Sequence, residues 1–353
     1  MAHPTHIERQ VIGLLLGTAV GDALGLPAEG LSPGKIQRRW KGEWRMSLIL
    51  ERGMVSDDTE HAFFVGQSLL IAPVHSTAFA RGLASRIRWW FLGLPAGVGM
   101  ATARACLKLC LGFSPERSGV FSAGNGPAMR SALIGAFFAG DERLRNSYVS
   151  ASTRITHTDP KAEIAARAVA EAAAWTTGGQ LPNPDFFNVL RACGADAEWT
   201  RICAQLEQAF GKGQSVRDFA RSLGLQRGIT GYAFHTVPVA IYAWLRHTND
   251  FHKALVESLN CGGDTDTVGA IVGALVGANV GEEGIPPEWL NKISEWPRSL
   301  EKLRLLGHRL ALARSQGTPQ PPIRYFWLGV LPRNMVFLAI VLAHGLRRLL
   351  PPY

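Results

Sequence analysis

The chain is read as all-α. Three observations carry that expectation: apolar residues recur at helical spacing along most of its length, strand-like alternation is scarce, and two long apolar runs each begin at an acidic turn of the kind that caps a helix. With 353 residues, 47% of them apolar, the chain suffices for one large helical domain or two small ones.

In chain order, the first element is an apolar segment in which glycine returns at every fourth position, at Gly13, Gly17, Gly21 and Gly25. The same interval reappears at Gly269, Gly273, Gly277 and Gly281. Spacing of four places each set along one ridge of a helix, where the missing side chains let another backbone approach closely. Glycine costs up to about 1 kcal/mol per helix position relative to Ala, so its repetition predicts two buried helices packed on each other, with Asp22 near the Asp264 turn. Neither run has the roughly eighteen uninterrupted apolar residues of a membrane span. Residues 32–42, 178–185 and 211–214 read as surface loops, each marked by Gly, Pro or charge. Residues 81–113 contain helix-period segments broken at Gly93-Leu94-Pro95, and Asp159 as N-cap with Pro160 at the first helical position begins a helix that runs to Trp175.

The chemistry concentrates in two acidic clusters about two hundred residues apart, Ser56-Asp57-Asp58-Thr59 and Gly262-Gly263-Asp264-Thr265-Asp266-Thr267. Each precedes a predicted helix, where a single Ser, Thr or Asp oxygen is enough to cap exposed N–H groups. Four Asp and four Ser or Thr exceed that need, and carboxylates gathered this closely repel one another unless a cation or proton intervenes. Hard oxygen donors suit Mg²⁺, Mn²⁺ or Ca²⁺, and the lack of a compact Cys/His cluster argues against zinc. Two capping turns and the two halves of one metal site both remain open on spacing alone.

The motifs GTAVGDALGLPAEG (17–30), SDDTE (56–60), SAGNGPAMR (122–130), ITHTDP (155–160), GYAFHT (231–236) and CGGDTDT (261–267), in this order, resemble the ADP-ribosylglycohydrolase family, which includes dinitrogenase reductase-activating glycohydrolase and the ADP-ribosyl-acceptor hydrolases. The resemblance covers about residues 11 to 285. It implies an orthogonal helical bundle with two Mg²⁺ or Mn²⁺ ions at the base of an ADP-ribose cleft, ligated by Ser56, Asp57, Asp58, Asp264, Asp266 and Thr267. Ser56 stands where the family usually has Thr, which keeps the hydroxyl. Glu29 matches an acidic residue that acts near the scissile bond in the serine-specific branch, so Glu29 and Asp58 are the candidate proton handlers. Ser122, Gly124, Asn125 and Gly126 match the phosphate loop, and small residues before a helical run suit such a role. Within that motif, Met129 is expected in the helix interior and Arg130 on its surface. His157 matches a cleft histidine that contacts pyrophosphate or ribose, and Tyr232 an aromatic that stacks on adenine in the nitrogenase-linked branch.

The implied activity is metal-dependent hydrolysis of the bond between ADP-ribose and an acceptor, a modified arginine or serine side chain or a small conjugate. Glu29 points to serine and GYAFHT to arginine, which leaves the acceptor open. Two other readings are a non-enzymatic ADP-ribose-binding module and a Mg²⁺-dependent diphosphate enzyme.

Five cysteines form neither a secreted disulfide framework nor CxxC pairs, with Cys106 and Cys110 on one helix face, and no signal peptide is recognised, so a cytoplasmic location is expected. Residues 1–314 are assigned to the catalytic domain and 315–353 to a linker and a basic apolar tail. Residues 301–353 hold eight Lys/Arg and one acidic residue, which is +7 of the formal +9. The tail's apolar stretch is interrupted at Pro332-Arg333-Asn334. Its first reading is a helix folded back on the core, peripheral membrane contact through residues 323–353 is the second, and an oligomer contact is the third. Basic residues interleaved with apolar ones do not form a nucleic-acid footprint.

Overall fold

The structure is a computed structural model that describes residues 5–180 and 182–348. Among them are eighteen α-helices joined by short 3-10 turns and loops, with isolated β-bridges and no strand. The helices that position the candidate site are α1 (His6–Gly25), α2 (Asp57–Ile71), α3 (Ser76–Leu92), α4 (Pro160–Thr177), α5 (Ala233–Arg246), α6 (Phe251–Leu259), α7 (Thr265–Val280), α8 (Leu300–Gln316) and α9 (Val330–Arg347).

The two glycine ridges face each other, as their spacing predicts. Along the seam Gly13 meets Gly277, Gly17 meets Gly273, Gly21 meets Gly269, and Gly25 meets Thr265, so close that a methyl on any of these four α1 glycines would collide with the facing carbonyl oxygen. The sacrifice of side chains permits backbone-to-backbone packing that any larger residue forbids. Every residue of α1 from Gly13 to Gly25 is buried, and α3, α4, α5, α6 and α8 complete one continuous apolar core around the pair.

Local chemistry sets the helix starts. Thr5 accepts the Glu8 amide at 3.2 Å, and Asp159 accepts the Lys161 amide at 2.9 Å with Pro160 at the first helical position. One expectation is corrected. Residues 33–40 are a helix rather than a loop, because Pro33 starts it and Ile36 and Trp40, one turn apart, are buried beneath it. Pro332 lies in the first turn of α9, where its missing N–H has no intrahelical partner to lose.

The tail helix α9 sets polar and apolar residues together on its inward face, where Phe337, with Leu338, Ile340 and Val341 beside it, packs on Leu26, Leu48, Met54 and Ala96. Arg333, Asn334 and Phe337 face the protein, whereas Leu331, Met335, Val336, Leu342 and Leu346 are exposed. The preceding segment is also attached: Gln67 on α2 exchanges two 2.8 Å hydrogen bonds with the Ile323 backbone. Residues 349–353, the end of the tail assignment, lie outside the described residues, as does Leu181 of the 178–185 loop.

Candidate active site

The first acidic turn is built on Asp22 of α1. Both carboxylate oxygens of Asp22 accept the Ser56 amide, at 3.0 and 2.9 Å, and one also takes the Thr59 amide at 3.2 Å and the Thr59 hydroxyl at 2.5 Å. Asp22 is therefore bonded to the Ser56 turn, and it also lies near the Asp264 turn, as expected, where its charge acts on Asp266. Burial pushes its pKa up to about 6 despite these donors. Ser56 caps α2, accepting the Asp58 amide at 3.3 Å. With Asp22 and Ser56 serving the amides, Asp57 and Asp58 are left for other work.

The second turn depends on Gly262 and Gly263, at φ +70° and +83°, in the left-handed region that side chains resist. From there Gly263 donates to the Leu31 carbonyl at 2.8 Å and accepts the Gly30 amide at 2.7 Å, while Ile229 donates to Gly262 and Asp264 donates to Ile229, both at 2.9 Å. This two-glycine knot ties the loops carrying Glu29 and Thr230 to the Asp264 turn. Asp264 occupies the N-cap position of α7 without capping it. Its carboxylate instead accepts the Asn125 amide at 2.6 Å, which decides against a simple capping role for this turn.

The two turns meet directly: the Thr267 hydroxyl lies 3.3 Å from Asp58 Oδ2, and Ser56 Oγ lies 3.2 Å from the same oxygen. Asp58 Oδ1 is buried with no hydrogen-bond partner among the described residues. Burial foremost, then the neighbouring carboxylates, hold Asp57, Asp58 and Asp266 well above the ordinary range, and Glu29, though solvent-exposed, is raised by desolvation at the cavity mouth and by Asp264. All-oxygen donors, mutual repulsion and an unpartnered buried oxygen fit a hard divalent cation. No three carboxylate, His or Cys side chains among the described residues already form a closed cage.

A cavity of about 650 Å³ collects the predicted residues on one wall. Glu29, Asp57, Asp58, Asp264, Asp266 and Thr267 line it, with Ser122, Gly124, Asn125, Gly126 and His157 beside them. Ser56 sits just behind the lining. Tyr232 is not among the lining residues, although Gly231 before it is; it occupies the N-cap position of α5, and its hydroxyl bonds to Glu198 at 2.8 Å and Lys161 at 3.1 Å. Asn125 spends its side-chain amide on Asp264 and Thr236, and its backbone N–H on Gly231. Among the described residues no acceptor meets the Gly124 or Gly126 amide, so these two remain free to receive an anion.

His157 packs against both glycines, so a side chain on Gly124 would crowd its Nε2. Burial and the Arg130 charge hold its pKa down to about 3, which keeps the imidazole neutral. Arg130 is a correction: it is wholly buried, not on the surface, bonding to Ser152, to Thr156 Oγ1 at 2.8 Å and to His61 Nδ1 at 3.2 Å. Met129 is buried as expected and touches the cavity. Cys106 is buried, but Cys110 on the same helix is exposed. The sequence reading named Asp22 and Thr59 but gave neither a role in the site, and it did not single out Thr102, Arg227 and Thr230 on the cavity wall. Asp22, an acid on an otherwise apolar glycine helix, was the one visible signal.

The sequence profile of the ADP-ribosylglycohydrolase family matches residues 3–320. The chain belongs to that family. It is similar to an ADP-ribosyl-[dinitrogen reductase] glycohydrolase of Rhodospirillum rubrum, 28% identical over 81% of this chain and 91% of the relative, and to an ADP-ribosylhydrolase ARH3 of Gallus gallus, 28% identical over 78% and 87%. A solved ADP-ribosylglycohydrolase-related protein complex superposes with a TM-score of 0.65 at 25% identity, covering 88% of this chain and 99% of that one. The ADP-ribosylglycohydrolase is thus an all-α hydrolase that cleaves ADP-ribosyl glycosidic bonds, which sets aside the binding-module and diphosphate-enzyme readings.

Proposed function

We propose that this glycohydrolase removes ADP-ribose from a modified arginine or serine side chain of a protein, with two Mg²⁺ or Mn²⁺ ions held by Ser56, Asp57, Asp58, Asp264, Asp266 and Thr267. The observation that carries the proposal is the convergence of both acidic turns and the Ser122–Gly126 loop on one cavity. The Rhodospirillum relative, named for a protein substrate, supports a protein acceptor. When bound, such ions hold ribose hydroxyls, stabilise developing negative charge and lower the pKa of a water.

The remaining roles fall to the chain itself. The Gly124 and Gly126 amides receive the pyrophosphate. Thr156 Oγ1 accepts from Arg130 and so has its hydroxyl proton free for His157 Nδ1, 2.9 Å away, which leaves Nε2–H of His157 as a donor toward a phosphate or ribose oxygen. Asp58 is bonded to two hydroxyls and suits ligation. Glu29 at the cavity mouth, with its pKa raised, suits proton transfer to the leaving group or from water. Five free thiols support a reducing, cytoplasmic setting. The exposed apolar face of α9, with Trp327 beside it and Arg39, Arg45, Arg347 and Arg348 crowded near its end, supports peripheral contact with an anionic membrane. Sedimentation with phosphatidylserine vesicles, but not with neutral ones, is the expected result for that contact, and equal sedimentation with both overturns it.

The deciding experiment measures ADP-ribose release from mono-ADP-ribosylated arginine and serine peptides with Mg²⁺ or EDTA, beside the Asp57→Ala/Asp264→Ala double variant. Release that requires the cation and disappears in the variant is expected, and the productive peptide identifies the acceptor. Release that persists undiminished in EDTA overturns the metal assignment. Release only from small conjugates overturns the protein acceptor.

A further inference from the structure

The tail helix lies beyond the family match, which ends at residue 320, yet it touches both segments that carry the candidate catalytic acids. Its first half is anchored deeply. Arg333 donates to Glu295 at 2.9 and 2.7 Å and to the Val55 carbonyl at 2.6 Å, and Glu295 in turn accepts the Val55 amide at 3.2 Å. Arg333 also pairs with Glu60 at 3.7 Å, and Asn334 donates to the Gly93 carbonyl at 2.7 Å. Val55 immediately precedes Ser56, so the anchor ends at the first acidic turn.

The other end makes a lighter contact. The Arg348 fork donates to the Glu29 carbonyl at 2.7 Å and to the Pro27 carbonyl at 2.8 Å, and His344 Nε2 donates to the same Pro27 oxygen at 3.1 Å. These bonds go to main-chain oxygens, so they fix where the loop lies regardless of its side chains. On its opposite side the loop is held by the Gly30-to-Gly263 bond of the glycine knot. The guanidinium also eases the negative charge of Glu29 and Asp266, which it neighbours.

We propose that α9 is a strap anchored at Arg333 whose free end, through Arg348 with His344, positions the Glu29 loop for catalysis. Arg348 is a positioning residue: it acts on Glu29 through the backbone and touches no reacting atom. The role rests on the assignment of Glu29 to proton transfer. A guanidinium suits it better than an ammonium because two carbonyls two residues apart are met by one rigid fork. Release of the latch would let Glu29 drift while the cavity wall stayed intact.

The test uses the full chain and compares Arg348→Ala, Arg348→Lys and, as a control, Arg324→Ala on the exposed linker. Amide hydrogen exchange at Glu29, Gly30 and Leu31, whose N–H groups bond to Leu26, Gly263 and Ala28, reads how firmly the latched loop is held, and kcat and KM for the productive peptide read its effect. In Arg348→Ala, exchange at these amides is expected to quicken and kcat to fall about tenfold with KM changed less than about twofold, since misplacing a catalytic group costs rate more than binding. Arg348→Lys should recover part of both, and Arg324→Ala should match the parent. Unchanged exchange in Arg348→Ala overturns the proposal. So does a loss of activity that follows global unfolding, with no split between kcat and KM. If the parent cleaves no ADP-ribosyl peptide, the functional assignment fails while the exchange measurement still decides whether the latch exists.

Discussion

By length and mean hydropathy alone helices α1 and α9 both match a membrane span, although α1 has no eighteen uninterrupted apolar residues, and the protein uses them in opposite ways: the most apolar window of α1 is 94% buried and that of α9 only 22%. The contrast arises from where each helix places its exceptional residues. In α1 they are glycines on one ridge, and they admit a second backbone. In α9 they are Arg333, Asn334 and His344 on the inward face, and they fasten the helix by charge and hydrogen bonds beside a small apolar contact through Phe337, while Leu331, Met335, Val336, Leu342 and Leu346 look outward. Hydropathy alone assigns the two helices alike, whereas the pattern of the minority residues separates them.

The most severe way to break this contrast is to fill the seam. Gly21→Leu sets a side chain against the Gly269 carbonyl, where neither backbone can retreat. A loss above about 4 kcal/mol, seen as absence of a cooperative thermal transition, is expected. A soluble variant melting near the parent would show that the seam tolerates separation.

Arg333→Met tests the tail's fastening. It strips the counter-charge from Glu295, which burial already holds above its usual pKa, so a loss of about 3 kcal/mol is expected by urea titration. No change would mean that α9 contributes nothing to the stability of the core.

Acid sharpens the comparison. His157 titrates in the folded protein at about 3, far below its unfolded value near 6.5, so the unfolded chain takes up a proton first. The stability it contributes is present above about pH 6.5 and is lost as pH falls towards 3. His344 on the tail is lowered too, by burial, but it is only half-buried. His157→Gln should therefore flatten the decline in melting temperature from pH 7 to pH 4 more than His344→Gln does. A larger effect at His344 would place the acid sensitivity in the tail.

The smallest effect belongs to the outward face. Leu342→Ser should leave stability within about 0.5 kcal/mol of the parent, because that side chain is 58% exposed. A loss well beyond that would reveal a packing partner for α9.

The parts of this molecule that were legible in the sequence are those written in short-range spacing. Glycines at intervals of four required a close neighbour, and acids in excess of capping needs required a purpose beyond capping. What was hidden depends on partners remote in the chain. Asp22 receives its role from a turn 34 residues later, and Arg130 is buried because Ser152, Thr156 and His61 surround it. Residues 32–42 were misread because Gly, Pro and charge outnumber the two apolar residues that decide the matter, Ile36 and Trp40.

The knot at Gly262 and Gly263 bears on how such an enzyme could diversify. It fixes the Glu29 loop and the Asp264 turn through main-chain bonds alone. Side chains at the mouth can therefore be exchanged without disturbing the scaffold that spaces them. Acceptor preference can drift by substitution at the rim, while the two glycines themselves have almost no freedom to change.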